Sequence, residues 1–310
     1  MDRKRIGVVL SARSPFEWDL VDDLYDAADA AGYRLDMGLY SPRRSRFRVA
    51  AELAERCAAV IVVGPDRADR LDRLTSPLVV IGERIPDLDA VTIGTDEWLG
   101  GEIATQHLID LGHTAIAHIG GGENSGAAER LRGYLDAMAA AGLREQVRVF
   151  DGDYTEQSGA RVADEILDGG TPPTAVFAAN DRIAVGFIAE LRRRGVRVPE
   201  DISVVGYDDT EHAALAHIAL TSVRQDTAQL AESGVAAVAA LLGDSEESAD
   251  TGGFGYYGSV ALDPALTVRE STAPPRTAPT APRFAPTAPR SAPTAPRFAP
   301  TAPRFPATAP

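Results

Sequence analysis

Residues 174 to 209, TAVFAANDRIAVGFIAELRRRGVRVPEDISVVGYDD, read as strand, helix and strand in immediate succession, and both strands end on polar side chains. The first, Thr174 to Ala178, is a short apolar run closed by Ala179, Asn180 and Asp181, after which Ile183, Phe187, Ile188 and Leu191 recur at helical spacing. Arg192, Arg193 and Arg194 then meet Gly195, which suits a helix C-terminus, where cations face the dipole and glycine takes the left-handed cap. Pro199 opposes resumption of the helix. The second strand, Ile202 to Gly206, is apolar on both faces and stops at Tyr207, Asp208 and Asp209. A strand with two apolar faces belongs in a parallel sheet covered by helices, and open sheets of that kind bind ligands beyond the carboxyl ends of their strands. Asn180 and Asp208 therefore stand where a polar small molecule would be read.

The same alternation runs through the rest of the chain. Strands are expected at 6–10, 34–39, 58–63, 78–81 and 115–119, with helices near 17–31, 46–56 and 97–111. A second series follows: a helix at 127–141, a strand at 147–151 and a helix at 156–167. After Ser222 come a helix at 227–242, a polar loop at 243–253, and a final strand pair near 256–262 and 266–269. These elements are too many for one sheet. Two doubly wound α/β lobes with a binding groove between them are the economical arrangement.

Charge excludes one class of partner for the body of the chain. The formal net charge is −14, but the last 38 residues hold five of the 31 basic residues and none of the 45 acids, so the first 272 carry −19. Such a body does not attract nucleic acid through bulk charge. The last 38 residues also hold 12 of the 21 prolines, and Arg276, Arg283, Arg290, Arg297 and Arg304 recur every seven residues in TAPRFAP-like units. Proline removes backbone donors, so a disordered, polyproline-like tail is expected there instead of a coiled coil. The chain has neither a signal-peptide pattern nor an apolar run of membrane-spanning length, and a cytoplasmic location is expected. The single cysteine, Cys57, excludes an intramolecular disulfide.

The segments ATQHLIDLGHTAIAHIGG (104–121), ERLRGYLDAM (129–138), PPTAVFAAND (172–181), VRVPEDISVVGYDD (196–209), LTSVRQD (220–226) and LTVREST (266–272) stand in an order and spacing that resembles the LacI family of bacterial transcriptional regulators. The resemblance covers residues 4 to 272. It implies a periplasmic-binding-protein-like fold of type I, two Rossmann-like lobes joined by three crossovers and closing on a sugar or nucleobase effector. Residues 1–113 with 225–245 would form one lobe and 114–224 with 250–272 the other, followed by the 273–310 tail. Family members normally begin with a helix-turn-helix that reads operator DNA. This sequence starts at the first strand of the effector lobe, so the resemblance implies either an effector-binding module of a regulator or a stand-alone cytoplasmic sugar-binding receptor. A homodimer is the expected assembly.

Residue by residue, the resemblance implies that Arg130 sends a guanidinium into the cleft and that Asp208 supplies an acceptor there. The alternative for Arg130 is a helix-surface pair with Glu129. Asn180 offers donor and acceptor at a strand end, while Asp181 fits the N-cap of the next helix and Asp209 a structural cap. Phe16 stands where relatives place an aromatic that stacks on the effector. Glu17 occupies a position that is often aromatic and Trp18 follows it, so Trp18 is a second stacking candidate. Tyr154 and Gln225 match positions that line the pocket, Gln225 at a lobe crossover.

The loop 120–126, GGGENSG, lacks the Lys-Ser/Thr ending of a phosphate-binding loop and the third glycine of a dinucleotide fingerprint, although Asn124 and Ser125 are candidate ligand contacts. The five histidines show no metal-ligand spacing, and no nucleophile stands in a hydrolase motif. No metal, cofactor or catalysis is expected.

Overall fold

The computed structural model describes residues 3–11, 14–41, 43–122, 125–244 and 258–276. The chain opens with β1 (Arg5–Leu10), α1 (Pro15–Ala30), β2 (Arg34–Leu39), α2 (Arg46–Ala54), β3 (Ala59–Val63), β4 (Leu78–Ile81) and β5 (Val91–Thr95). It continues with α3 (Glu97–Asp110), β6 (Ile116–Ile119), α4 (Ser125–Ala140), β7 (Arg148–Phe150), α5 (Glu156–Asp168), β8 (Ala175–Ala178) and α6 (Asp181–Arg193). Then come β9 (Ser203–Asp208), α7 (Glu211–Ala214), β10 (Thr221–Arg224), α8 (Thr227–Leu242), β11 (Ser259–Leu262) and β12 (Ala265–Thr267).

Two sheets form, with orders β11-β5-β4-β3-β1-β2 and β12-β10-β9-β8-β6-β7. All pairings are parallel except β10 with β12. β3 shows why the first sheet is covered on both faces. Ala59, Ile61 and Val63 pack into a core with Leu20 and Leu24 of α1 and Val235 and Val238 of α8, while Val60 and Val62 pack with Val49 and Leu53 of α2. The period-two alternation of a strand thus divides one apolar run between two cores.

Three places differ from the sequence expectation. β5 and β10 are absent from the expected strands, because VTIGT and TSVR are rich in hydroxyls and glycine and carry little apolar signal. Both are nevertheless buried, and Ser222 of β10 spends its hydroxyl on Asp181 at 2.6 Å. The helix α3 packs on the second sheet, since Ala104 and Leu108 share a core with Ile116, Phe177 and Val205. The chain therefore crosses between sheets just after β5, not near residue 113. The final strands do not pair with each other: β11 lies parallel to β5 in the first sheet, and β12 antiparallel to β10 in the second. With the passage from β10 to α8, these make three crossovers, near 96, 225 and 263. Within the described residues, Ala273 still belongs to the body, its carbonyl accepting from Ser203 Oγ at 3.0 Å and contacting the His113 ring at 2.9 Å. The repeat units from residue 277 onward and Asn124 lie outside the described residues.

Candidate functional site

The carboxyl ends of strands from both sheets border a cavity of about 340 Å³. Its first-sheet wall is mixed: Phe16 from the first turn of α1, Val63 and Ile81 from the ends of β3 and β4, and Leu230 from α8 stand beside Ser11, Glu17, Glu83 and Thr95. The turn that carries Phe16 is fixed by a capping box. Ser14 Oγ accepts from Glu17 N–H at 3.1 Å, and the Glu17 carboxylate accepts from Ser14 N–H at 3.3 Å and from the Ser11 backbone and hydroxyl. Glu17 is thus a cap, and one residue on, Trp18 turns outward on the helix, 54% exposed and away from the cavity. The expectation that Trp18 stacks on a ligand is corrected on that ground.

The second-sheet wall is polar and charged. Gly133 of α4 lies against the backbone of α3, where an added Cβ would overlap the Trp98 carbonyl oxygen. That close crossing brings Arg130 of α4 to Glu97, the first residue of α3. Arg130 Nε donates to Glu97 Oε2 at 2.6 Å and Nη2 to Oε1 at 3.0 Å, a two-point fork, while Nη1 donates to the Ala179 carbonyl at 2.5 Å. Its guanidinium carbon sits 3.6 Å from the centre of the Tyr207 ring. Asp208 Oδ1 is 3.9 Å from Nη1. Arg130 lines the cavity with Glu97 as its principal partner, and Glu129 pairs instead with Arg132 at 2.6 Å.

Asp208 ends β9 at φ +102° and Asp209 follows at +52°, a left-handed backbone that favours glycine and marks strain at the strand end. Burial holds the Asp208 carboxyl well above the usual carboxylate range; Arg130 and a 2.8 Å hydrogen bond from Gln225 Nε2 oppose that shift. Gln225 Oε1 in turn accepts from Thr95 Oγ1 at 3.0 Å, so a Thr95, Gln225, Asp208 relay joins the end of β5 to the end of β9 across a crossover. Asp209 accepts from Thr267 Oγ1 at 2.7 Å and pairs with Arg269, which ties down the sheet edge and leaves it out of the cavity lining.

At the end of β8 the helix cap falls on the neighbour of the expected residue. Asn180, not Asp181, caps α6, its Oδ1 accepting from Ile183 N–H at 3.0 Å. Asp181 is buried beneath the loop, where it accepts from Thr210 N–H at 2.8 Å, Thr210 Oγ1 at 2.9 Å and Ser222 Oγ at 2.6 Å. Asn180 still lines the cavity, with its oxygen committed to the cap. Tyr154 also lines it, with its ring 5.9 Å from the Arg130 guanidinium. Ser125 begins α4, and its side chain lies outside the described residues.

Glu97, Glu83 and Thr95 escaped the sequence reading. Thr95 ends β5 and Glu97 stands two residues on, so recognising that strand would have placed them at a carboxyl end like Asn180 and Asp208. Glu83 follows β4 beyond Gly82, and burial with the negative charge of Glu97 and Glu129 pushes its carboxyl up to about 7. Among the described residues no group of histidine, cysteine or carboxylate side chains has the arrangement of a metal site. No described helix is long and apolar enough to cross a membrane.

Comparison with known proteins places this architecture. A periplasmic binding protein-like domain matches residues 105–272. The HTH-type transcriptional repressor PurR of Vibrio campbellii is 33% identical over 236 residues, covering 72% of this chain and 70% of that protein. A LacI transcriptional regulator from a Rhodococcus species superposes with a TM-score of 0.79 at 36% identity, covering 87% of this chain and 99% of its own. The transcriptional regulator CelR in complex with cellobiose superposes with a TM-score of 0.74 at 30% identity, covering 87% and 85%.

Proposed function

We propose, from the premise that this chain belongs to the LacI family of transcriptional regulators, that its interlobe cavity binds a small-molecule effector, a sugar in the first instance, and that binding controls transcription. The observation that carries this reading is the pairing of surfaces in the cavity: the Phe16 ring with Val63, Ile81 and Leu230 offers apolar contact from one lobe, among polar groups such as Thr95 and Glu83, opposite Arg130, Asp208 and Asn180 from the other. A sugar has that dual character, with C–H faces that pack on a ring and hydroxyls that exchange hydrogen bonds. The cellobiose held by CelR supports the sugar class.

A ligand touching both walls favours the closed arrangement by its differential affinity for it, and the Thr95, Gln225, Asp208 relay at the crossover would sense the change. In this reading the regulator acts in the cytoplasm as a homodimer whose lobe movement alters its hold on operator DNA. The relatives act in regulation, not catalysis, and none of the side chains around the cavity requires a reaction to explain it.

The test is a thermal-shift screen of neutral sugars including cellobiose, sugar phosphates and nucleobases. A stabilising hit is expected, its shift growing with ligand concentration above Kd. Arg130→Ala and Asp208→Ala should each abolish it, and a hit that survives both substitutions places the site elsewhere.

A further inference from the structure

We infer that Glu97 makes this cleft reject anions: by holding the forked face of Arg130, it leaves a cavity suited to a donor-rich ligand without negative charge, such as a neutral or aminated sugar. The inference deepens the effector reading above and rests on it for the location of the ligand. A guanidinium recognises carboxylate or phosphate through two parallel N–H donors. In Arg130 one such pair, Nε and Nη2, already closes on Glu97 and one Nη1 N–H closes on the Ala179 carbonyl, so no more than one N–H on each Nη is left. The other guanidinium among the described lining residues, Arg182, closes the same fork on Glu156 at 2.8 and 2.7 Å.

Among the described lining residues, carboxylates therefore outnumber the cations that lack a carboxylate partner. Asp208 has Arg130 only at 3.9 Å, and Glu83 adds a further carboxyl to the lining. The Glu83 carboxyl is pushed up first by burial and then by the negative charges of Glu97 and Glu129. Hydroxyl or ammonium donors of a ligand would satisfy these acceptors. A phosphate reaching Arg130 would either displace Glu97, leaving a carboxylate buried and unpaired, or share a guanidinium that Glu97 already neutralises with Asp208 beside it, and both states are unfavourable.

The experiment compares the full chain with Glu97→Gln and with Glu97→Gln combined with Asp208→Asn, using glucose, glucosamine, glucose 6-phosphate and inorganic phosphate as probes in calorimetry and thermal shift. Wild type should show no binding of inorganic phosphate or glucose 6-phosphate. Glu97→Gln should gain affinity for phosphate by roughly tenfold or more, the worth of one charge-assisted hydrogen bond, and the double variant should gain further. Adding Arg130→Met should cancel the gain. Glu97→Asp keeps the charge while loosening the fork and should still exclude phosphate, which carries the test if the glutamine variant does not fold. Arg130-dependent binding of phosphate by wild type or by Glu97→Asp overturns the inference, as does a folded Glu97→Gln protein with no gain. Neutral sugar binding without that gain sinks this inference alone; a phosphate gain with no sugar binding sinks the sugar reading alone.

Discussion

Two helix pairs in the second lobe are built alike and end up in different environments. α3 crosses α4 at Gly133, and α5 crosses α6 at Gly186, where an added Cβ would overlap the Glu156 carbonyl oxygen. Each crossing joins an arginine to the glutamate that opens the neighbouring helix, Arg130 to Glu97 and Arg182 to Glu156, each through a two-point fork. The first pair is buried, with side chains 7% and 10% exposed, and the second is at the rim, 26% and 40% exposed. One packing motif therefore supplies both a desolvated ion pair, costly to break, and a solvated one of little consequence. The depth at which the crossing sits decides which.

The largest expected effect tests that contrast directly. Arg130→Ala leaves Glu97 buried without its partner and should cost roughly 3–5 kcal/mol in urea unfolding. An equal loss in Arg182→Ala would break the comparison. Gly133→Ala and Gly186→Ala come next, because both force a methyl group against a carbonyl oxygen; each should cost about 1–3 kcal/mol. They should separate in function: Gly133→Ala moves Arg130 away from Glu97 and weakens any ligand that Arg130 supports, whereas Gly186→Ala should leave affinity nearly unchanged. Arg182→Ala itself should cost no more than about 1 kcal/mol, and raised salt should shrink the difference.

The smallest effect is in the pH profile, and its sign differs between the two regions. Hydrogen bonding to Arg182 holds the Glu156 carboxyl below its usual range, so its contribution to stability is present above the unfolded value and is lost as pH falls through the folded one. Glu83, in the cavity, is pushed up to about 7, so stability it permits below the unfolded value is lost as pH rises towards 7. Glu83→Gln should therefore gain on wild type in chemical denaturation as pH rises from about 5 to 8, and Glu156→Gln should lose less than wild type on acidification below about 4.5. A Glu83→Gln profile parallel to wild type would show that this carboxyl is not perturbed by its cavity.

Much of this arrangement was legible before any coordinates. Strand ends at Asn180 and Asp208 could be read because buried parallel strands are unbroken apolar runs, and the polar residue that closes such a run marks the ligand side of the sheet. Trp18 was misjudged because stacking depends on where a side chain points around a helix, and the capping box at Ser14 and Glu17 sets that rotation. The placing of the cap on Asn180 instead of Asp181 has a similar origin: either residue type caps a helix, and only the donors of Thr210 and Ser222 converging on Asp181 assign the roles.

By itself the sequence determined the alternation of strand and helix, the division into two sheets, the polar strand ends and the family. Those features depend on local periodicity and on ordered motifs, which a chain carries wherever it folds. Only the tertiary structure decided that α3 belongs to the second sheet, that β11 and β12 part company, and that Arg130 closes on Glu97. Each of these joins residues through packing over long sequence separations, and no local pattern encodes which of several chemically equivalent partners a buried charge will meet.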